Sequence, residues 1–337
     1  MSTLHFVVPA GIDDQARPSG GNTYDRRLRS GLAAAGWTVR VHEVSGTEAA
    51  LAAALARIRD GSLVLIDGLI ASPAPDVLVP ESRRLHLVVL MHMPLGQHEP
   101  DAREAAVLSA AASVVTTSAW ARHVLLANYA LPSDRIRVAE PGVEAADLAP
   151  GTTTGGSLLS VAAVIPGKGH DVLVDALATV AGERWRCLCV GTLERDPDFA
   201  AKVRLRAQQM NGRVSFSGAL PDTDLARSYE EADLLVLPSR SETYGMVVTE
   251  ALARGLPVVA ADVGGVPEAM GHGADGTRPG VLVPPGDPAA LGDALRAWLG
   301  DADLRRRLRR AARERRESLP DWQGTTAAVA DVLARAA

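Results

Sequence analysis

The run Glu231-Ala232-Asp233-Leu234-Leu235-Val236-Leu237-Pro238-Ser239-Arg240-Ser241-Glu242-Thr243-Tyr244-Gly245-Met246-Val247-Val248-Thr249-Glu250-Ala251-Leu252-Ala253 holds one complete structural unit. Leu234–Pro238 is a short, continuously apolar run stopped by proline, the pattern of a strand buried on both faces. Gly245 closes a turn, and the apolar stretch from Met246 to Ala253 carries few polar positions, as a buried helix does. Two carboxylates sit in this unit, Glu242 in the turn and Glu250 within the helix. Glu250 shares a helical face with Met246, Val247 and Ala253, and an unpaired charge there is expensive, so it needs a partner. A ribose would supply two hydroxyl donors, and the helix N-terminus just upstream favours an anion such as phosphate. The competing reading pairs Glu250 with Arg254 one turn on, an exposed contact worth about 0.3–0.5 kcal/mol.

The same strand-then-helix alternation extends in both directions, the signature of parallel sheets with crossover helices. In the first half the strand candidates are Leu4–Pro9, Thr38–Glu43, Leu63–Ile66, Leu85–Met91, Ser113–Thr116 and Ile136–Ala139. Helical patterns fill Thr23–Ala35, Glu48–Asp60, Asp101–Ala111 and Ala119–Asn128. A breaker-rich stretch, Ala149 to Gly156, reads as a linker. Beyond it the strands are Ser157–Val161, Arg186–Val190, Val214–Ser217, Leu234–Pro238, Pro257–Ala260 and Val281–Val283. At 337 residues the chain exceeds one ordinary core and fits two domains of about 150–170 residues. The expectation is an α/β protein of two doubly wound, Rossmann-like domains facing a central cleft: 1–150, 151–320, and a final segment 321–337.

Composition narrows the function. Hydrophobic residues make up 47% of the chain and the net charge is −5, which argues against a nucleic-acid binder working through bulk charge. The first residues lack the basic region and apolar core of a signal peptide and read as a buried strand. No run approaches the length of a membrane span. Cytoplasmic localisation is therefore expected, with membrane association disfavoured. Cys187 and Cys189, two apart on a strand, point to one face and read as buried core thiols rather than a metal or redox site. The arginines of 305–310 are flanked by Asp301, Asp303, Glu314 and Glu317 and read as a solvated surface helix rather than a binding patch.

Several positions could carry chemistry. Gly20-Gly21 opens a helix after the first strand, where backbone amides can approach an anion; a plain turn is the competing reading. Lys168 lies where a loop after a strand enters a helix, suited to phosphate oxygens, although exposed lysines are common. His92 ends an apolar strand and is expected to point into the cleft, or else to be a satisfied structural histidine. Asp222-Thr223-Asp224 has the form of an Asp-x-Asp metal site, but it follows Pro221 at a helix start, so capping explains it better.

Taken together these residues resemble the retaining glycosyltransferases of family 4, the glycogen synthase and phosphatidylinositol mannosyltransferase-like group of GT-B architecture. The shared pattern is Glu242-Thr243-Tyr244-Gly245, then Glu250-Ala251, Gly255-Leu256-Pro257-Val258, and Gly264-Gly265-Val266-Pro267-Glu268. It continues upstream in Glu231 to Ser239 and downstream in Gly280 to Asp287. The match is dense over 214–290 and thinner elsewhere, through Gly20-Gly21, Ser118, Gly142-Val143 and Lys168-Gly169. Asp321-Trp322-Gln323-Gly324 with the following Ala-rich helix resembles the last helix of that family, which crosses back to the N-terminal domain.

The resemblance implies a metal-independent transferase without a cofactor, whose co-substrate is a nucleoside diphosphate sugar. UDP is favoured over GDP, and a soluble small molecule is favoured as acceptor. Glu250 would bind the ribose; Glu242 and the backbone of Thr243, Tyr244, Gly245 and Met246 would hold the sugar and phosphates. Lys168 would neutralise the diphosphate, Gly20 and Gly21 would face it, and His92 would contact the transferred sugar. The leaving phosphate itself would take the acceptor proton. One position departs: Ala163 stands where the family carries an arginine on the diphosphate. A nucleotide-sugar epimerase or glycoside phosphorylase of the same architecture, or a non-catalytic nucleotide-sugar binder, are the alternatives. The oligomeric state is not legible from sequence.

Overall fold

A computed structural model describes residues 2–14, 18–97 and 99–337. It resolves into two compact units: one comprises the chain through Asp14, Ser19–Gly142 and Pro320–Ala337, the other Val143–Leu319.

The first unit carries six strands: β1 Thr3–Pro9, β2 Thr38–Val44, β3 Leu63–Asp67, β4 His86–Met91, β5 Ser113–Thr116 and β6 Ile136–Val138. They form one parallel sheet in the order β2-β1-β3-β4-β5-β6. Alternate residues of β1 feed opposite cores, Leu4, Phe6 and Val8 on one face and Val7 on the other. Burial on both faces is why β1, β3 and β4 read as largely apolar runs. The final helix, Trp322–Ala336, sets Val329, Val332 and Leu333 in the same apolar cluster as Leu4, Phe6 and Val8, and Thr325 donates to the Glu140 carbonyl at 2.7 Å. Two short helices, Gly68–Ala71 and Pro75–Glu81, lie between β3 and β4 in a stretch to which the sequence reading assigned no element.

The second unit has β7 Ser157–Val161, β8 Arg186–Val190, β9 Val214–Gly218, β10 Leu234–Leu237, β11 Val258–Ala261 and β12 Gly280–Val283, ordered β12-β11-β10-β7-β8-β9 and wholly parallel. Counted from β7 this is the 3-2-1-4-5-6 arrangement of nucleotide-binding sheets. Cys187 and Cys189 lie in its core as free thiols.

Two expectations change here. The breaker-rich stretch around Thr152 is packed into the second unit. Fully buried Asp233 accepts from Thr152 N at 2.5 Å, Thr152 Oγ1 at 2.6 Å and Ser157 N at 2.9 Å, and pairs with Arg309 at 2.7 Å. The arginine run lies on the helix Ala302–Arg316 and is more than a solvated face. Arg306, Arg307 and Arg310 are exposed, but Arg305 donates to the Trp298 and Leu299 carbonyls and Arg309 pairs with Asp233; beyond the run, Arg315 donates to Met270 O and Arg316 to Ala146 O. Long guanidinium side chains here cap backbone acceptors that the sequence pattern does not reveal.

Candidate functional site

Ligands of open α/β sheets bind outside the strand carboxyl ends, where strand order reverses. In the second unit that point lies between β7 and β10. The loop after β7 presents Lys168 and the loop after β10 presents Glu242, and the two side chains meet: Lys168 Nζ donates to Glu242 Oε1 at 2.7 Å. Ser239 Oγ donates to the same oxygen at 2.8 Å. Glu242 Oε2 accepts from no group among the described residues. The ammonium, partly exposed, has two further donors to offer.

Close backbone packing fixes these loops. A Cβ on Gly264 would lie 1.6 Å from the Glu242 carbonyl oxygen, and one on Gly265 2.2 Å from that of Thr243. Only glycine lets the loop after β11 pass so near, which is the physical content of the Gly264-Gly265 pair. Arg240 staples the β10 loop to the β7 loop: its amide donates to Gly167 O at 2.8 Å and Nη1 to Pro166 O at 2.6 Å, while its guanidinium engages Asp171. Ala163 thus has a guanidinium in the neighbouring loop, but one already committed to Asp171 and a carbonyl.

Gly245 adopts φ +94 and leads into the helix Met246–Ala253. Tyr244 is buried, whereas Thr243 and Met246 are half-buried. Glu250 lies in the second turn of that helix, and its partner is one the sequence did not suggest. The Tyr229 hydroxyl donates to Oε2 at 2.7 Å. Burial raises the Glu250 pKa against this hydrogen bond and the pull of Arg254. Arg254 makes no ion pair with the carboxylate; it donates to the Glu250 carbonyl at 2.9 Å and lies over the Tyr229 ring at 4.7 Å. Glu250 Oε1 accepts from no group among the described residues. Asp222 and Asp224 occupy the first turn of Asp222–Glu230 without capping it by side-chain hydrogen bonds, where their charge suits the helix dipole.

In the first unit the strand order reverses between β1 and β3. Gly20 and Gly21 are the first residues of the helix Gly20–Ala34, which Ser19 caps through the Asn22 amide at 3.1 Å. A Cβ on Gly21 would stand 3.5 Å from His92 Cδ2, so Gly21 and His92 are neighbours. His92 follows β4 and does not stand alone. Its Nε2 lies 2.8 Å from Asp25 Oδ1 and 3.6 Å from Asp67 Oδ2, with both carboxylates buried. Asp67 ends β3 and caps the next helix through Leu69 N at 2.6 Å. Burial, augmented by Asp25 and opposed by His92, lifts Asp67 to about 7. Asp25 could have been suspected from sequence, because it shares a helical face with Leu28 and Leu32.

One ligand atom from each of Asp25, Asp67 and His92 lies within 4.8 Å of the others, a donor set that a divalent cation could use. The 2.8 Å separation of Nε2 from Oδ1 is a hydrogen-bond length, so a proton already lies between imidazole and carboxylate. We read the cluster as holding protons.

Residues 152–315 match the family model of glycosyl transferases group 1. The D-inositol 3-phosphate glycosyltransferase of Jonesia denitrificans is 32% identical over 253 residues, covering 67% of this chain and 58% of the relative. The chain spans less than two thirds of the length of the curated relatives it matches, 58% and 50% for two of them. Sucrose-phosphate synthase from Thermosynechococcus elongatus superposes with a TM-score of 0.79 at 23% identity over 99% of both chains. Anabaena HepE, solved with UDP and glucose, superposes with a TM-score of 0.78 at 18% identity, over 99% of this chain and 100% of that one. The architecture is GT-B.

Proposed function

On the premise that residues 152–315 carry the sequence of the glycosyl transferases group 1, we propose that the protein is a retaining glycosyltransferase. It moves a hexose from a nucleoside diphosphate sugar, UDP before GDP, to a hydroxyl of a soluble small molecule. The observation that carries this reading is the pairing of Lys168 and Glu242 at the strand-order reversal of the second sheet. Lys168 keeps two N–H donors for diphosphate oxygens, Glu242 keeps Oε2 for a sugar hydroxyl, and Glu250 keeps Oε1 for the ribose. The helix beginning at Met246 adds the positive end of its dipole to the phosphate position.

In the reaction, the bond from the anomeric carbon to the leaving phosphate oxygen breaks. The acceptor oxygen bonds to that carbon on the same face, and its proton passes to the departing phosphate. Lys168, held in place by Glu242, stabilises the charge that develops there. No step calls on a metal. Support for UDP comes from HepE, and support for a small polyol acceptor from the D-inositol 3-phosphate enzymes. Among the described residues no helix is long and apolar enough to cross a membrane.

The test is calorimetric titration of the full chain with UDP, GDP, ADP and NAD, without added metal. A transfer assay with candidate acceptors then follows on the sugar nucleotide that binds. Saturable binding of one nucleoside diphosphate, lost in Lys168→Ala, is expected. Binding of NAD alone, or of nothing, refutes the donor site. Nucleotide release that needs no acceptor, or that needs phosphate, gives the site to an epimerase or a phosphorylase instead.

A further inference from the structure

The group formed by Asp25, Asp67 and His92 determines what His92 can do to a ligand. An ionised carboxylate only accepts hydrogen bonds, so with Asp25 ionised His92 Nε2, 2.8 Å from Asp25 Oδ1, carries the hydrogen of that contact. The variable atom is Nδ1, which has no hydrogen-bond partner among the described residues. In the neutral ring Nδ1 is a bare acceptor; in the imidazolium it is a charged donor.

We propose that Asp25 and Asp67 are positioning residues that hold His92 as an imidazolium, so that Nδ1–H donates to an oxygen of the bound ligand. The geometry carries the argument. Two carboxylates face one ring nitrogen at 2.8 and 3.6 Å, with side chains 0% and 2% exposed. At such distances, away from water, the Asp25 carboxylate attracts a positive ring strongly, and Asp67 adds to the attraction above about pH 7, where it too is ionised. Burial works against the charged ring, but Asp25 first and Asp67 second outweigh it, and the His92 pKa rises to about 9. The other titratable group against the ring is Tyr24, edge-on with centroids 5.1 Å apart. Its hydroxyl donates to Ala139 O, and burial holds it neutral.

A histidine held charged cannot take the acceptor's proton, so it is excluded as the general base. It is suited instead to hydrogen-bond a sugar or phosphate oxygen. The inference rests on the proposed function only in taking that ligand to carry sugar or phosphate oxygens.

The test needs no substrate. The full chain, labelled with ¹³C and ¹⁵N in histidine, is titrated from pH 5 to 10 by NMR, with His92→Gln assigning the signal. The expected wild-type midpoint is above 7.5, and in Asp25→Asn, which keeps the hydrogen-bond acceptor but not the charge, it falls by more than one unit. At pH 8 a pKa of about 9 leaves roughly nine-tenths of the rings charged, against about 3% at the ordinary 6.5, close to a thirtyfold difference. A wild-type midpoint below 7.5, or no fall in Asp25→Asn, overturns the proposal. If Asp25→Asn does not fold, Asp67→Asn and the wild-type midpoint decide on the same thresholds. Failure here leaves nucleotide binding by the second unit untouched, so the two readings fail separately.

Discussion

Replacing Glu250 separates a ligand-binding carboxylate from a structural one. In the free protein Oε2 is held by the Tyr229 hydroxyl at 2.7 Å, while Oε1 is unclaimed among the described residues. A ribose hydroxyl donating to Oε1 makes a charge-assisted hydrogen bond, contributing about 2 kcal/mol. Loss of that bond raises Kd roughly thirtyfold, and a second ribose bond shared with Oε2 would carry the effect toward about 10³-fold. Glu250→Ala is therefore expected to weaken UDP at least thirtyfold by calorimetry. Glu250→Gln, which keeps neutral acceptors, should weaken it by about tenfold. The fold should suffer little from Glu250→Gln, because the amide oxygen still accepts from Tyr229. Tyr229→Phe has the opposite profile: it strips a buried charge of its donor and costs about 1.5–3 kcal/mol of stability. That corresponds to a melting temperature lower by roughly 4–10 °C in a domain of this size, with the ribose contact to Oε1 kept. The pH dependence has a definite sign. Burial raises the Glu250 pKa, so nucleotide affinity falls as pH drops through that raised value and the carboxylate takes a proton. A Kd unchanged within twofold in Glu250→Ala, with circular dichroism intact, would refute the ribose assignment.

Two further outcomes follow from particular residues. Ala163→Arg supplies the diphosphate cation that the proposed mechanism lacks, and turnover should rise tenfold or more, since a donor to developing charge is worth about 10²–10³ in rate; unchanged turnover would show that Lys168 already suffices. His170 is fully buried with both ring nitrogens unpartnered, and burial lowers its pKa to about 4. The unfolded chain binds this proton near pH 6.5, so the stability present above pH 6.5 is lost as pH falls toward 4, about 3 kcal/mol in all. Urea unfolding at pH 7.5, 5.5 and 4 should show that His170→Leu loses less stability than the wild type by about that amount; parallel losses would contradict a buried neutral ring.

Strands such as β1, β3, β4 and β10 were legible because both their faces are covered, and a strand without a wet face must be written as an apolar run. The loops bearing Lys168 and Glu242, and the helix bearing Glu250, were legible for a related reason. Glycines and a proline mark where strand becomes helix, and the charged residue in that turn stands out against its neighbours. A strand-by-strand reading also located His92. The helices at Gly68–Ala71 and Pro75–Glu81 were not assigned from sequence; at 4 and 7 residues they are too short to show a helical period, and Pro75 sits in the first turn, where no amide hydrogen is needed.

By itself, then, the sequence determined the alternation of strand and helix, the two parallel sheets and the positions of Lys168, Glu242, Glu250 and His92 along the chain. The tertiary structure decided with whom those side chains pair. Tyr229 reaches Glu250 across 21 residues, Lys168 reaches Glu242 across 74, and Asp25 reaches His92 across 67. Such distances in sequence are closed by sheet order, which sets β7 beside β10 and β1 beside β3. Hydrophobic periodicity records which face of an element is buried but not which neighbour covers it. The partners of a buried charge are therefore properties of the assembled sheet, and they decide whether Glu250 awaits a ribose and whether His92 carries a proton to its ligand.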